Sequence, residues 1–384
     1  MALRILLCAN HLGTVPNGPA KFANLLLEQQ QLVPNPNVDI RILTPDATPS
    51  RFDGPRVYRM RPPGPNLPGT PLREHRRALA YARRAADLRA GEFRFDVLAF
   101  NDLTTAYLLP RQRPYRVVGL INDEKNIRPR RGEQPSWAAY LSRLAVEQQQ
   151  RRAVANVDLV ITNSRALLRA VAAGFDLPAD RLRVMYKAVR MTNIAYLEPA
   201  PPRGTLRVLF VKTDYRIGGL PELYQALNLL KEQPTELTVI GPPPGVAHRL
   251  AKHHGAPGPH LQLTMRGRCR QEEVFAQLRQ TDVFCVPARQ EPLGVANIEA
   301  MAHGVPVVTT DAGGIPEVTD GGRNAWVCAP GDPRALVATF REFLAAPEEA
   351  AARSRRARAF ILTRFSPRAA YERFLALCGG NELS

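Results

Sequence analysis

Short apolar runs alternate along this chain with longer stretches in which apolar residues recur every three or four positions. The first pattern predicts strands buried on both faces, and the second predicts the helices that cover them. In the first half the strand candidates are Arg4–Ala9, Val38–Leu43, Val97–Phe100, Arg116–Ile121, Leu159–Thr162 and Leu182–Met185. In the second half they are Arg207–Lys212, Glu236–Ile240, Leu261–Met265, Val283–Val286 and Val305–Thr309. Alternation of strand and helix throughout points to α/β architecture with parallel sheets. The two sets are separated by Ala188–Gly204, whose Pro-rich tail Glu198-Pro-Ala-Pro-Pro-Arg-Gly204 breaks helix and sheet alike. The expected organisation is a Rossmann-like domain over 1–190, a linker over 191–204, and a second Rossmann-like domain over 205–365. A terminal segment over 366–384, helical at Pro367–Leu377, is expected to cross back onto the first domain. Two doubly wound sheets of this kind should bind their ligand in a crevice between them, beyond the carboxyl ends of the strands.

A length of 384 residues suits two domains, and 45% hydrophobic with 23% charged residues suits a soluble globular chain. No apolar run approaches the roughly 20 residues needed to span a bilayer. The opening run Leu3–Ala9 reads as a first strand and is too short for a signal peptide. Cys8, Cys269, Cys285, Cys328 and Cys378 are scattered without metal-ligand spacing, which predicts reduced thiols and a cytoplasmic protein.

Lys plus Arg outnumber Asp plus Glu by 52 to 35, a net charge of +17 that implies an acidic partner. Aromatics make up only 7% of the chain and do not interleave with the cations, which argues against a nucleic-acid partner. A phosphorylated ligand or an anionic membrane surface remains. The helix predicted over Leu72–Leu88 carries Arg73, Arg76, Arg77, Arg83 and Arg84, and reads either as a solvated basic face or as a peripheral contact with anionic lipid. Only six residues are lysines, and Lys21, Lys125, Lys187 and Lys212 lie in or beside strand-to-loop junctions, where a compact ammonium has a use that a guanidinium fork does not.

The chemistry concentrates in Arg289-Gln-Glu-Pro-Leu-Gly-Val-Ala-Asn-Ile-Glu-Ala-Met-Ala-His-Gly-Val-Pro-Val-Val308. Glu291 falls in the loop after a strand, and Glu299 falls inside an apolar helix, Val295 to His303, where a carboxylate needs a partner. Two acids beside a helix N-terminus suggest a ligand with both hydroxyls and phosphates.

These residues resemble the donor-binding signature of family 4 glycosyltransferases. The resemblance rests on Glu291-x7-Glu299, on the following Ala-Met-Ala-His-Gly-Val-Pro-Val-Val, and on Gly313-Gly-Ile-Pro-Glu317. Arg266-Gly-Arg-Cys, Asp282-Val-Phe-Cys-Val-Pro and Cys328-Ala-Pro-Gly-Asp332 extend it over most of the second half. The first half is similar more weakly, through Asn17-Gly-Pro-Ala-Lys-Phe22 and Val160-Ile-Thr-Asn-Ser164. It implies the GT-B fold and transfer of a sugar from a nucleotide-sugar, UDP- or GDP-linked in the first instance, with retention at the anomeric carbon. No cofactor and no metal ion are implied. The partners would be that donor and a sugar or lipid-linked acceptor, met in the cytoplasm or peripherally at the inner face of the membrane.

Carried over by position, Glu299 would hold the ribose hydroxyls and Glu291 the donor sugar. The amides of Leu293, Gly294 and Val295 would approach the sugar and phosphates, with Arg268 and Cys269 on the base side. Gly18 and Lys21 would approach the donor from the first domain. Two departures stand out. Thr213 and Gly218 occupy the positions of the family's phosphate-binding Arg and Lys, which shifts that role to Lys212 and Arg216. Asn122-Asp123-Glu124-Lys125 stands where many members have a His, which leaves Asn122 and Asp123 to bind or orient the acceptor. A GT-B scaffold that binds a nucleotide-sugar or a partner enzyme with weakened catalysis is the competing expectation. A nucleotide-sugar epimerase shares the fold class but matches the double-Glu segment less well.

Overall fold

Consecutive residues of a strand point to opposite faces of its sheet, so a strand buried on both sides must be apolar throughout. The first strand obeys this: Leu6 and Cys8 enter one buried cluster, Ile5 and Leu7 enter another, and all four are at most 2% exposed. The structure, a computed structural model, describes residues 2–13, 18–61, 71–123, 137–189, 196, 198 and 204–380. The chain divides into two units, residues 1–188 with 367–384, and residues 189–366.

The first unit runs β1 (Leu3–Cys8), α1 (Gly18–Leu32), β2 (Val38–Thr44), β3 (Val57–Arg59), α2 (Pro71–Ala90), β4 (Val97–Phe100), β5 (Arg116–Ile121), α3 (Trp137–Asn156), β6 (Leu159–Thr162), α4 (Arg165–Phe175) and β7 (Leu182–Val184). The second runs β8 (Leu206–Val211), α5 (Leu220–Leu229), β9 (Thr235–Ile240), α6 (Gly245–His254), β10 (Leu261–Gly267), α7 (Gln271–Leu278), β11 (Val283–Val286), α8 (Val295–Ala302), β12 (Val307–Thr310), α9 (Ile315–Val318), β13 (Trp326–Cys328), α10 (Pro333–Ala345) and α11 (Pro347–Arg364). The last helix, α12 (Pro367–Gly379), returns to the first unit. There Phe374 sets its ring edge-on to Phe22 of α1 at 5.4 Å, and Leu377 accepts a hydrogen bond from Arg116 of β5.

Both sheets are wholly parallel, in the orders β3-β2-β1-β4-β5-β6-β7 and β10-β9-β8-β11-β12-β13. Each order reverses once, between β1 and β4 and between β8 and β11, and such reversals open the crevices in which doubly wound folds bind ligands. Right-handed crossovers place helices before the reversal on one face and helices after it on the other. In the second unit α5 packs with α6, while α8 packs with α11 and with α7 through the Phe275–His303 ring contact at 4.6 Å. Helix α10, which follows the last strand and makes no crossover, returns to pack against α5.

Two edge strands, β3 and β13, were absent from the sequence expectation. Each has three residues, and Val57–Arg59 is half-buried throughout, so neither carries a long apolar run. The basic helix α2 also departs from a simply solvated face. Arg77 is only 8% exposed and pairs with Glu74 one turn back, while Tyr81, Ala85 and Leu88 join the core.

Candidate functional site

The reversal point of the second sheet brings the loops after β8 and β11 together. The backbone N–H of Arg289 donates to Ile217 O at 2.8 Å, and Arg289 Nε donates to Glu222 at 2.8 Å. Glu222, in the first turn of α5, is only 3% exposed. Across this clasp the Lys212 ammonium, at the end of β8, pairs with Glu291 Oε2, in the loop after β11. The other oxygen of Glu291 accepts the Gly294 N–H at 3.1 Å. Gly294 is the left-handed residue (φ 94°) that opens α8, so one carboxylate ties the ammonium to the start of a helix. The amide of Gly294, expected to face the ligand, is taken by Glu291 in this arrangement.

Gly218 explains how Lys212 reaches there. A Cβ added at Gly218 would lie 2.8 Å from Lys212 Cγ and 2.8 Å from the Phe210 ring. The side chain missing at 218 leaves the channel through which the Lys212 stem passes. The loop of Glu291 is held from behind by Gly313 and Gly314: the Gly314 N–H donates to Glu291 O at 2.9 Å, and added Cβ atoms would strike the backbone of Glu291 and Pro292 at 2.1 and 2.2 Å. These glycines support the loop by close approach.

Glu299 lies on α8, half-buried, and accepts from Gln271 Nε2 at 2.9 Å. Gln271 opens α7, and no sequence motif drew attention to it. Arg268 and Cys269 lie in the same turn after β10, Arg268 exposed and Cys269 half-buried. Leu293 is buried, and Val295 is the first residue of α8. Arg216 is exposed, and its Nε donates to the Tyr215 hydroxyl at 3.3 Å.

The remaining predicted residues belong to the first unit. Gly18 begins α1 and Lys21 is exposed on it, while Asn17, Glu124 and Lys125 lie outside the described residues. Asn122 follows β5, donates to Asn101 O at 3.1 Å and accepts from Asn163 at 2.9 Å, and Asp123 beside it is exposed. At the first sheet's reversal point Asn10 donates to Asp102 at 3.3 Å and accepts from Tyr81 at 3.1 Å. The loop after β1 is clamped by Asp46, which accepts the Leu12 and Gly13 N–H groups at 2.9 Å each and that of Thr48 at 2.9 Å. Burial alone would raise the Asp46 pKa; the backbone donors outweigh it and hold the carboxyl well below its usual range.

His303, at the end of α8, is wholly buried, with Nδ1 at 2.8 Å from Glu299 O and Nε2 without a hydrogen-bond partner among the described residues. Burial lowers its pKa below 6.5, and Arg279 and Arg358 add to that. Below pH 6.5 the unfolded chain therefore takes up a proton that the folded chain refuses, and stability falls as pH drops. Thermal unfolding between pH 8 and pH 5 should show this loss in the wild type and a shallower loss in His303→Gln. Equal slopes would remove His303 from the account.

A profile of glycosyl transferases group 1 matches residues 198–360, and one of a glycosyl transferase 4-like domain matches residues 17–187. A putative colanic acid biosynthesis glycosyltransferase, WcaL of Salmonella typhimurium, is 30% identical over 178 residues, which are 43% of this chain and 43% of that protein. The match thus spans under half the length of that relative. Among solved structures, sucrose-phosphate synthase from Thermosynechococcus elongatus shares the fold with TM-score 0.74 at 18% identity, over 98% of both chains. Anabaena Alr3699/HepE in complex with UDP-glucose shares it with TM-score 0.68 at 16% identity, over 98% of this chain and all of that one. The two parallel-sheet units are those of the GT-B fold, each half of the chain carries one of the matched domains, and the chain belongs to the family 4 glycosyltransferases.

Proposed function

We propose that the protein is a retaining glycosyltransferase that moves a sugar from a nucleoside-diphosphate sugar to a hydroxyl acceptor, in the synthesis of a polysaccharide, lipopolysaccharide or other glycoconjugate. The observation that carries this reading is the Lys212–Glu291 pair at the β8/β11 reversal, joined to the first turn of α8. Glu299 takes the ribose hydroxyls beside Gln271, and Glu291 takes hydroxyls of the sugar. Lys212, the N-terminal turn of α8 and Arg216 face the diphosphate, whose charge grows as the glycosidic bond breaks. Fixed positive groups stabilise that charge without reorganising. The leaving phosphate takes the acceptor proton, so no side chain need act as base, and no metal ion is required where an ammonium and a helix start carry the charge. Asn122 and Asp123 bind the acceptor in the first unit.

The reading includes a cytoplasmic protein in peripheral contact with an anionic membrane. Leu72 on α2 and Tyr140, Leu141 and Leu144 on α3 are each at least 40% exposed, and Gln149 of α3 donates to Pro71 O at 2.9 Å, tying the apolar residues to the basic helix. Among the described residues no helix is long and apolar enough to cross a membrane.

A panel of UDP, GDP, ADP and their common sugars tests the donor. A nucleotide at 100 times its dissociation constant should stabilise the fold by about 2.7 kcal/mol. No shift with any of them would end the nucleotide-sugar reading. The competing scaffold reading draws on Thr213 and Gly218. It is separated by turnover: a binding module gives the thermal shift without transfer or hydrolysis of the sugar.

A further inference from the structure

A second cationic group lies on the opposite side of β8 from Glu291. Tyr215, in the loop after β8, receives a hydrogen bond from Arg216, and the Arg249 guanidinium of α6 lies beside its ring. Both guanidinium carbons stand 5.8 Å from the centre of its ring, and both arginines are exposed. The ends of β8 and β9 are pressed together here, since a Cβ at Gly241 would lie 2.7 Å from the Lys212 carbonyl. That close crossing brings α6 to the β8 loop. Burial would raise the Tyr215 pKa, yet the two cations outweigh it and leave the phenol below its ordinary value.

Two guanidinium groups gathered at one phenol ring repel each other. An oxyanion that accepts from both relieves the repulsion, and the planar forks suit phosphate or carboxylate. We propose that Tyr215, Arg216 and Arg249 form a second oxyanion site, which takes a phosphate monoester or carboxylate lying outside the donor's diphosphate. That separation from the diphosphate rests on the proposed nucleotide-sugar donor. Glu299 and Gln271 belong to the face of α7 and α8, and Glu291 stands at the reversal point. A donor held by ribose at Glu299 and by sugar at Glu291 keeps its phosphates between them. The Tyr215 cluster belongs to the α5 and α6 side, beyond Lys212. Its anion therefore comes from a charged acceptor or from a carboxylate on the donor sugar. Arg216 serves both sites, whereas Arg249 belongs to this one alone.

The test uses inorganic phosphate as the probe, followed by NMR of ring-labelled tyrosine, with the Tyr215 signal assigned by Tyr215→Phe. Phosphate should shift that signal saturably, with and without saturating UDP. Arg249→Ala should weaken phosphate binding about tenfold or more, as expected for a lost charge-assisted bond, and change UDP affinity less than about twofold. Equal phosphate affinity in Arg249→Ala, or an unresponsive Tyr215, overturns the site. Full competition by UDP overturns its separation from the diphosphate. If UDP binds neither protein, the donor reading fails by itself, and the effect of Arg249→Ala on phosphate still decides the site. The source follows from UDP-glucuronate against UDP-glucose: a selective loss of glucuronate affinity in Arg249→Ala assigns the carboxylate to the donor, and an unchanged ratio assigns the anion to the acceptor.

Discussion

Glu291→Gln lowers turnover by about two to three orders of magnitude while leaving the fold intact, on the scale of losing one preorganised charge-stabilising group. The substitution keeps the size of the side chain and removes its charge. Lys212 then loses its anchor, and the Gly294 N–H faces an amide oxygen in place of a carboxylate. Three features of the site fail together: the grip on the sugar, the position of the ammonium, and the entry of α8. Residues acting as a unit are not additive. Lys212→Met should therefore cost about as much as Glu291→Gln, and the double variant little more than either. Steady-state kinetics with the donor found by thermal shift measures all three, with unfolding curves as the control. Turnover of Glu291→Gln within about threefold of wild type would remove the pair from catalysis, since a positioned charge is worth far more than that. Independent additive losses would mean that Lys212 and Glu291 touch without cooperating.

The two acids Glu291 and Glu299 were legible in the sequence because their surroundings are local, whereas the contact of Lys212 with Glu291 spans 79 residues and was not. A strand, a loop acid, a glycine and an apolar helix with one internal acid lie within twenty consecutive residues, and each has a physical reason to be where it is. The fold class was legible for a similar reason: doubly buried strands such as Ile5–Cys8 and Val283–Val286 cannot hide their apolar runs. What stayed hidden depends on contacts far apart in the chain. Gln271 becomes a partner of Glu299 only when α7 and α8 pack side by side. Arg249 reaches Tyr215 because two strand ends press together, and neither residue sits in a recognisable pattern. The departure at Gly218 read as a missing lysine; in three dimensions the same gap admits Lys212. Asp46 follows the same rule, since a lone acid near a strand end has no periodicity to mark it. The edge strands β3 and β13 escaped for want of length.

Gly219→Ala is the substitution expected to damage the second unit most among single methyl additions. Gly219 caps α5 in the left-handed region, at φ 74°, and a Cβ there would stand 1.9 Å from the carbonyl oxygen of Pro287. Backbone strain accounts for about 1–2 kcal/mol. The clash is a separate cost, because the obstructing atom is backbone and cannot rotate away. Either α5 withdraws or the loop 287–291 moves, and that loop carries Arg289 to Glu222 and Glu291 to Lys212. A total loss of about 3–5 kcal/mol places the variant among severe destabilisations with a named steric cause. A displacement of about 1 Å at Glu291 lowers turnover by a further factor of about one hundred in the molecules that remain folded. Gly321→Ala is the control. Gly321 has φ 64° but nothing within 4 Å of an added Cβ, so it carries positive-φ strain without the clash. Unfolding midpoints and UDP affinity of the two variants separate the terms. Equal stability losses would show that the α5 start and the Pro287 loop yield together at no cost, and the rigid clasp at the β8/β11 reversal would then be wrong.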